Sequence, residues 1–317
     1  MECIRGIYNV RPRHRGAVIT VGNFDGFHQG HRQLAGLLKA RAQAHGAPAL
    51  VMMFEPQPQE YFAHGAPRAR LMRLSAKLSA WRDAGIDYAM VLRFDERLAR
   101  LSAPDFIEGI MVGSLAVRGL VIGDDFRFGA GRAGDFAMLK AAGDRHGFFV
   151  EATGTWTEAG QRVSSTRLRQ ALARGDMHEA ELLIGAPYRY GGRVVAGDAR
   201  GRTLGFPTAN ILMPDPPPVA GVFAVAVRTK DGRTHTGIAN AGRRPTVGGG
   251  RVLLEVHLLD FAGDLYGQRL EVAFLERLRE ERRFPSLDAL TAQIDRDRAS
   301  ARTFFASRGM MHHDGGL

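Results

Sequence analysis

A chain of 317 residues, 45% of them apolar, is long for one compact domain and has ample material for two buried cores. The formal net charge is +10, carried almost wholly by arginine, since lysine occurs only at Lys39, Lys77, Lys140 and Lys230; the basic residues are dispersed, without a block of interleaved aromatics, which suits nucleotide substrates and a solvated surface and speaks against a nucleic-acid partner. With no run of about 18 apolar residues, no apolar core in Met1–Arg15 and one cysteine, Cys3, the chain is expected to lack a membrane span, a secretory signal and an intrachain disulfide, and to reside in the cytoplasm.

The first strong element is the β-branched run Val18, Ile19 and Val21, which reads as a buried strand. It stops at Gly22, turns through Asn23-Phe24-Asp25-Gly26 and meets His28 and His31 on either side of Gly30. A helix follows, with Leu34, Leu37, Leu38 and Ala42 on one face. Strand, glycine-rich turn and helix start aim backbone N–H groups and a positive dipole end at one point, which suits a phosphate. The two imidazoles add donors that can follow charge developing on a phosphoryl group. A bare His-x-Gly-His also suits simple helix capping; the strand before it and the flanking glycines favour the phosphate site.

A second strand is expected over Ala49–Phe54, ending in a stiff loop with Pro56, Pro58, Tyr61 and Phe62. Helices are expected over Leu74–Asp83, Ala103–Leu115 and Phe136–His146, alternating with strands over Tyr88–Phe94, Val117–Gly123 and Phe148–Glu151. This β-α alternation predicts a parallel sheet with helices on both faces and ligands beyond the carboxyl ends of its strands. Gly129-Ala-Gly-Arg-Ala-Gly134 fits a dinucleotide fingerprint, but residues 124–128 separate the strand end from the first glycine, so the tight turn is missing. Ser164-Ser165-Thr166 opens the next helix; its hydroxyls suit helix capping, and Arg167 and Arg169 behind them form a second anion site.

Beyond Ile184 the period changes to two, in Tyr188–Val195, Val222–Val227, Leu253–Leu259 and Leu270–Phe274, which predicts an antiparallel barrel. Pro214–Pro218 reads as a rigid surface loop, a helix capped by Ser286 closes the domain, and residues 310–317 are expected to be a disordered tail. Within the barrel, Gly201-Arg-Thr-Leu-Gly205-Phe206-Pro207-Thr208-Ala-Asn210 sets the oxygens of Thr208 and Asn210 on one side of an extended segment, toward one hard cation. Its glycines let phosphates lie against backbone. Glu255 sits in an otherwise apolar strand, where an outward-facing carboxylate is the plain alternative to a functional one.

The segment 18–31 followed by Ser164-Ser-Thr-x-x-Arg169 resembles the signature of nucleotidyltransferases that move AMP or CMP onto a phosphate, and Gly205-Phe-Pro-Thr-Ala-Asn210 resembles that of riboflavin kinases. Gly221-Val-Phe-Ala-Val, Gly237–Thr246, Leu254–Phe261 and Asp264-Leu-Tyr-Gly267 extend the likeness. Over residues 15–305 the chain resembles the bacterial bifunctional riboflavin kinase/FMN adenylyltransferase family. The resemblance implies a Rossmann-like α/β nucleotidyltransferase domain over 1–185 and a riboflavin kinase barrel with a closing helix over 186–309. It implies ATP and Mg²⁺, with riboflavin, FMN and FAD as substrate and product, in a monomer or weak homo-oligomer. Glu255 is implied as the base for the ribityl 5′-hydroxyl, with Thr208 and Asn210 on the metal and Gly201, Gly205, Phe206 and Pro207 around ATP. In the other domain it implies His28 and His31 as catalytic, and nucleotide contacts from Gly22, Asn23, Phe24, Asp25, Gly30, Ser164, Ser165, Thr166 and Arg169. A flavin pocket is implied at Pro56, Pro58, Phe62 and Phe128; Asp125 stands where some members have Asn, and its contact is open among ribose, adenine and flavin. The competing readings are a nucleotidyltransferase for another phosphate acceptor with a regulatory barrel, and a basic nucleic-acid-binding protein.

Overall fold

A computed structural model describes residues 1–63, 68–123, 125–196, 206–243 and 252–310. Gly201 and Gly205 lie outside the described residues, as do residues 311–317 of the expected tail. The chain forms two compact units, residues 1–68 with 72–165 and residues 69–71 with 166–317.

The first unit is built on a six-stranded, all-parallel sheet: β1 Glu2–Arg5, β2 Val18–Val21, β3 Ala49–Glu55, β4 Tyr88–Arg93, β5 Gly119–Gly123 and β6 Phe149–Thr153, in the order β1-β4-β3-β2-β5-β6. The central strands are near-continuous apolar runs because both faces are covered. Ile19, Leu50, Met52, Met90 and Ile122 pack to one side with Phe106, Met111 and Leu139. Val18, Val51, Met53, Ala89 and Val121 pack to the other, against Leu34, Leu38 and Trp81. The helices supplying those covers are α1 Gln29–Ala44, α3 Leu74–Asp83 and α6 Phe136–His146, with the one-turn α2 Pro58–Tyr61 and α4 Glu96–Ala99 between strands.

Some local features of this unit differ from the sequence reading, among them β1, the loop after β3 and the element over 103–115. β1 was not expected: it is a four-residue edge strand with only Ile4 buried, so it carries no apolar run to detect. The loop after β3 contains α2, in which Gln57 N donates to Glu60 Oε2 at 2.9 Å and so caps a turn that its prolines had marked as loop. The element over 103–115 starts as a single turn, α5 Ala103–Asp105, and continues as a π-helix, Phe106–Ser114. The six glycine-motif residues Gly129–Gly134 form a small closed loop, in which Phe128 and Gly134 exchange backbone hydrogen bonds of 3.2 and 2.9 Å, and not a strand-to-helix turn.

After β6 a two-stranded ribbon, β7 Thr157–Glu158 and β8 Gln161–Arg162, ends the first unit's strands. In the second unit, which begins inside α7 Ser165–Arg174 at Thr166, α7 and α8 Met177–Ile184 lead into β9 Tyr188–Val195, β10 Ala209–Leu212, β11 Gly221–Arg228, β12 Thr234–Arg243, β13 Val252–Leu258 and β14 Arg269–Arg279. These close as an antiparallel barrel in the order β10-β13-β12-β11-β14-β9. Phe223 and Phe274 meet edge to face at 5.2 Å among its fully buried side chains. On the alternate face, the paired Ala224 and Ile238 are covered by Ala301 and Phe305 of the closing helix, α9 Leu287–Ser307, whose first turn Ser286 Oγ caps by accepting from Ala289 N at 3.1 Å. Arg279 of β14 clamps Asp297 of α9 with three N–H donations of 2.8–3.0 Å. Residues 69–71 join this unit because Arg169 Nε donates to Ala69 O at 2.7 Å and Tyr188 OH to Leu71 O at 2.8 Å.

Candidate functional sites

In the first unit the strand order reverses at β2: β3, β4 and β1 extend to one side, β5 and β6 to the other. The carboxyl end of a strand at such a point opens into a crevice, and residues 22–28 run from that end of β2 to the start of α1. Backbone of positive φ at Phe24 (48°), Gly26 (94°) and Phe27 (35°) folds them into a tight bend. Phe24 and Phe27 bind the bend to the core, each edge-on to buried Trp81 at 4.8 and 5.2 Å. Gly22 is required because a Cβ there would sit 2.8 Å from the Phe24 ring.

Asp25 and Lys77 hold this bend from below. Both are buried, their charged atoms are 3.8 Å apart, Lys77 Nζ donates to Asn23 O at 2.8 Å, and Met72 N donates to Asp25 Oδ1 at 3.0 Å. Ser165 Oγ donates to Asp25 O at 2.7 Å, tying the serine motif to the same loop. Asp25, expected among the nucleotide contacts, is thus placed beneath the loop with its carboxylate on protein partners. Lys77 was missed; its signal was a lysine sharing a helix face with Trp81 four residues on.

His28 and His31 stack at 3.7 Å with a 17° interplanar angle. His28 occupies the N-cap of α1 but makes no side-chain cap bond, so the capping role does not account for it. Both Nδ1 atoms are buried without a hydrogen-bond partner among the described residues. Burial, with the Arg162 charge second, holds His28 at about 4. Burial, then His28 and Lys77, pushes His31 well below the ordinary histidine value. Both imidazoles are therefore neutral at pH 7, each with one N–H to donate. Gly30 lies against the His28 ring: a Cβ there would be 3.3 Å from it.

The remaining expected residues of this unit divide by exposure. Pro56 follows a cis peptide bond, Pro58 opens α2, and Phe62 is 53% exposed, with its ring in edge contact with Tyr61 and Phe94. Phe128 is buried, stacked on Phe126 at 5.6 Å, and therefore stands as a core residue of the glycine loop. Asp125 is exposed and accepts from Arg162 at 2.8 Å. Arg162, unremarked in the sequence, lies on the β-ribbon Thr157–Arg162. Ser164 is half-buried; Thr166, in the second unit, is exposed, and Arg169 there is half-buried.

The barrel brings its expected residues into one cross-strand row. Asn210 of β10 stands directly opposite Glu255 of β13, and Glu255 directly opposite Asn240 of β12. Such directly paired residues share a sheet face. The neighbouring row, Ile211, Leu254 and Ala241, is fully buried and continues to Val194, which is in phase with the buried positions of β9. That row faces the interior, so Asn210, Glu255 and Asn240 lie on the outer wall. Asn210 is 4% exposed, and its Oδ1 has no partner among the described residues. Phe206 is buried, edge-on to His257 at 5.9 Å and under the Arg298 guanidinium at 5.4 Å. His257 Nδ1 donates to Pro207 O at 3.0 Å, fixing the extended approach to half-buried Thr208; burial lowers the His257 pKa.

The two units together define a tandem fold class: a parallel α/β unit with a phosphate-type loop at its switch point, then a closed six-strand barrel with a covering helix. A family model described as FAD synthetase matches residues 10–167, and one described as Riboflavin kinase matches residues 184–305. The bifunctional riboflavin kinase/FMN adenylyltransferase of Escherichia coli (strain K12) is 50% identical over 96% of this chain and 98% of that protein. Its Haemophilus influenzae counterpart is 47% identical over 97% of this chain and 100% of that protein. The chain belongs to the bifunctional riboflavin kinase/FMN adenylyltransferase family. The crystal structure of a macrolide-efflux protein from Streptococcus pneumoniae is also similar, with a TM-score of 0.81, 29% identity and coverage of 95% of this chain and 99% of that one. Among the described residues of this chain, no helix is long and apolar enough to cross a membrane.

Proposed function

We propose that the barrel phosphorylates riboflavin with ATP to give FMN and ADP, and that the α/β unit transfers AMP from a second ATP to FMN to give FAD and diphosphate. The observation that supports this reading is the pairing of two polar clusters in one chain of that family: a buried neutral histidine pair at the switch point, and a carboxylate in direct cross-strand register with carboxamides. A barrel that only regulated would have no use for that polar row. The dispersed arginines, many of them in ion pairs with surface carboxylates, do not support a nucleic-acid surface.

In the barrel, Glu255 takes the proton of the ribityl 5′-hydroxyl as that oxygen bonds to the γ-phosphorus and the bond to the ADP oxygen breaks. Buried Asn210 Oδ1 and the Thr208 hydroxyl are hard oxygen donors, and an orphaned carbonyl oxygen fits a divalent cation such as Mg²⁺. Asn210 and Thr208 would hold such a cation, which would neutralise charge on the transferring phosphoryl group. In the α/β unit, an oxygen of the FMN phosphate attacks the α-phosphorus and diphosphate leaves. His28 and His31 donate their N–H groups to the phosphate oxygens, alongside the backbone of Gly22, Asn23, Phe24 and Gly30, while Ser164 and Ser165 of the same unit hold the outer phosphates. Pro56, Pro58 and exposed Phe62 give the flavin ring an apolar surface; buried Phe128 supports it from the core, and Asp125, whose Oδ2 accepts from Arg162, contacts the ribose, adenine or flavin. The exposed free Cys3 suits a reducing cytoplasm, and we take the working form to be a monomer or weak homo-oligomer.

Chromatography of riboflavin with Mg-ATP tests the whole reading. FMN and then FAD are expected. His28→Ala should stop the sequence at FMN, whereas Glu255→Ala or Asn210→Ala should block FMN formation yet leave FAD synthesis from added FMN intact. FAD formation by His28→Ala at the unsubstituted rate would remove the histidine pair from the mechanism.

A further inference from the structure

The kinase mechanism above uses Asn210 and Glu255 but leaves Asn240 without a task. Its Oδ1 is buried and has no hydrogen-bond partner among the described residues, although it stands directly across from the carboxylate. The row's neighbours on either side are Val195 and Val222, whose side chains have no polar group to offer; beyond Val222 stands Arg279, which is engaged with Asp297 and Glu280 O. A buried carbonyl oxygen left without a donor is costly, so its natural complement is an O–H or a cation brought by the ligand.

Resting on the flavin reading of the barrel, we propose that Asn240 is a specificity-determining residue of the kinase half. Its Oδ1 accepts a hydrogen bond from the 4′-hydroxyl of the ribityl chain, next to the one phosphorylated. The 5′-hydroxyl has a single proton, which Glu255 receives, so a second acceptor beside Glu255 serves only a second O–H. Directly opposed residues hold their Cβ atoms about 4.5–5.5 Å apart, which lets a carboxylate and a carboxamide receive adjacent hydroxyls of one polyol. Asn210, on the other side of Glu255, faces the cation and phosphate with Thr208. The row thus sorts its ligands: metal and phosphate at Asn210, reacting hydroxyl at Glu255, neighbouring hydroxyl at Asn240. The site selects flavins with an intact polyol end.

The test is a cycle of two substrates and two proteins: riboflavin and 4′-deoxyriboflavin, each with the unsubstituted chain and with Asn240→Ala, measured as FMN-type product formed. Each single change is expected to lower kcat/KM by about tenfold to a hundredfold, the cost of an unmade buried hydrogen bond, and the two together should cost no more than one. The Mg²⁺ dependence should be unchanged. With the unsubstituted chain alone, 2′-deoxyriboflavin should be phosphorylated almost normally while the 4′-deoxy analogue is not, a comparison that stands even if the variant fails to fold. Additive losses, normal turnover of the 4′-deoxy analogue, or a raised Mg²⁺ requirement in Asn240→Ala (which would make the side chain a cation ligand) would each overturn the assignment. Failure of the flavin reading itself looks different, since the unsubstituted chain would then make no FMN from riboflavin.

Discussion

Acidification should destabilise the α/β unit through His28, by an amount the structure sets. Burial first, and Arg162 second, hold this imidazole at about 4 against an ordinary 6.5, and its ring is 7% exposed, so solvent screening discounts little. Between those two values the unfolded chain binds a proton that the folded one refuses. Stability is therefore fully present above pH 6.5 and is lost as pH falls toward 4. At roughly 1.4 kcal/mol per pH unit, the ceiling for His28 is about 3 kcal/mol, of which about 2 kcal/mol is lost by pH 5. Urea unfolding at pH 7 and pH 5 measures this; Trp81, fully buried against Phe24 and Phe27, is the fluorescent reporter of the loop. His28→Gln should recover about 2 kcal/mol of the difference between the two pH values. His31, shifted in the same direction, keeps the variant partly acid-sensitive. Histidine NMR should place the folded-state midpoint of His28 near 4, and ATP should raise it by bringing negative charge alongside. A folded-state midpoint near 6.5, or equal acid sensitivity in His28→Gln and the unsubstituted chain, would refute the argument.

Two further substitutions probe what holds the first unit together. Lys77→Met should cost about 3 kcal/mol, because it removes a buried charge 3.8 Å from the Asp25 carboxylate and the donor to Asn23 O; adding Asp25→Asn should restore part of that loss, as seen in denaturant midpoints of the double variant. Gly143→Ala should cost about 1–3 kcal/mol by overpacking, since a Cβ there would lie 2.4 Å from the rigid carbonyl oxygen of Phe148; a melting temperature equal to that of the unsubstituted chain would show that α6 shifts freely.

Much of the fold was legible because local patterns and global architecture agree. β2 and β3 are apolar throughout, as strands covered on both faces must be, and α1 shows its buried stripe at helical spacing. β1 was invisible because a short charged edge strand needs no apolar pattern. The expected boundary at 185/186 followed the change of period, while the compact units divide at 165/166. α7 and α8 read as more helix in an α/β series, and which unit they pack with depends on hydrogen bonds such as Arg169 to Ala69, which no local pattern encodes.

By itself the sequence determined which chemical groups exist and in what order along the chain: a histidine pair at a strand-to-helix turn, hydroxyls before a helix, and a threonine and asparagine approaching a carboxylate strand. Those are local matters of spacing and turn chemistry. Only the tertiary structure decided that Asp25 lies under its loop on Lys77, that the imidazoles are dry enough to stay neutral, and that Asn240 completes a row with Glu255 and Asn210. Burial and strand register are relations between segments distant in the chain, and both appear only when the sheet and the barrel close.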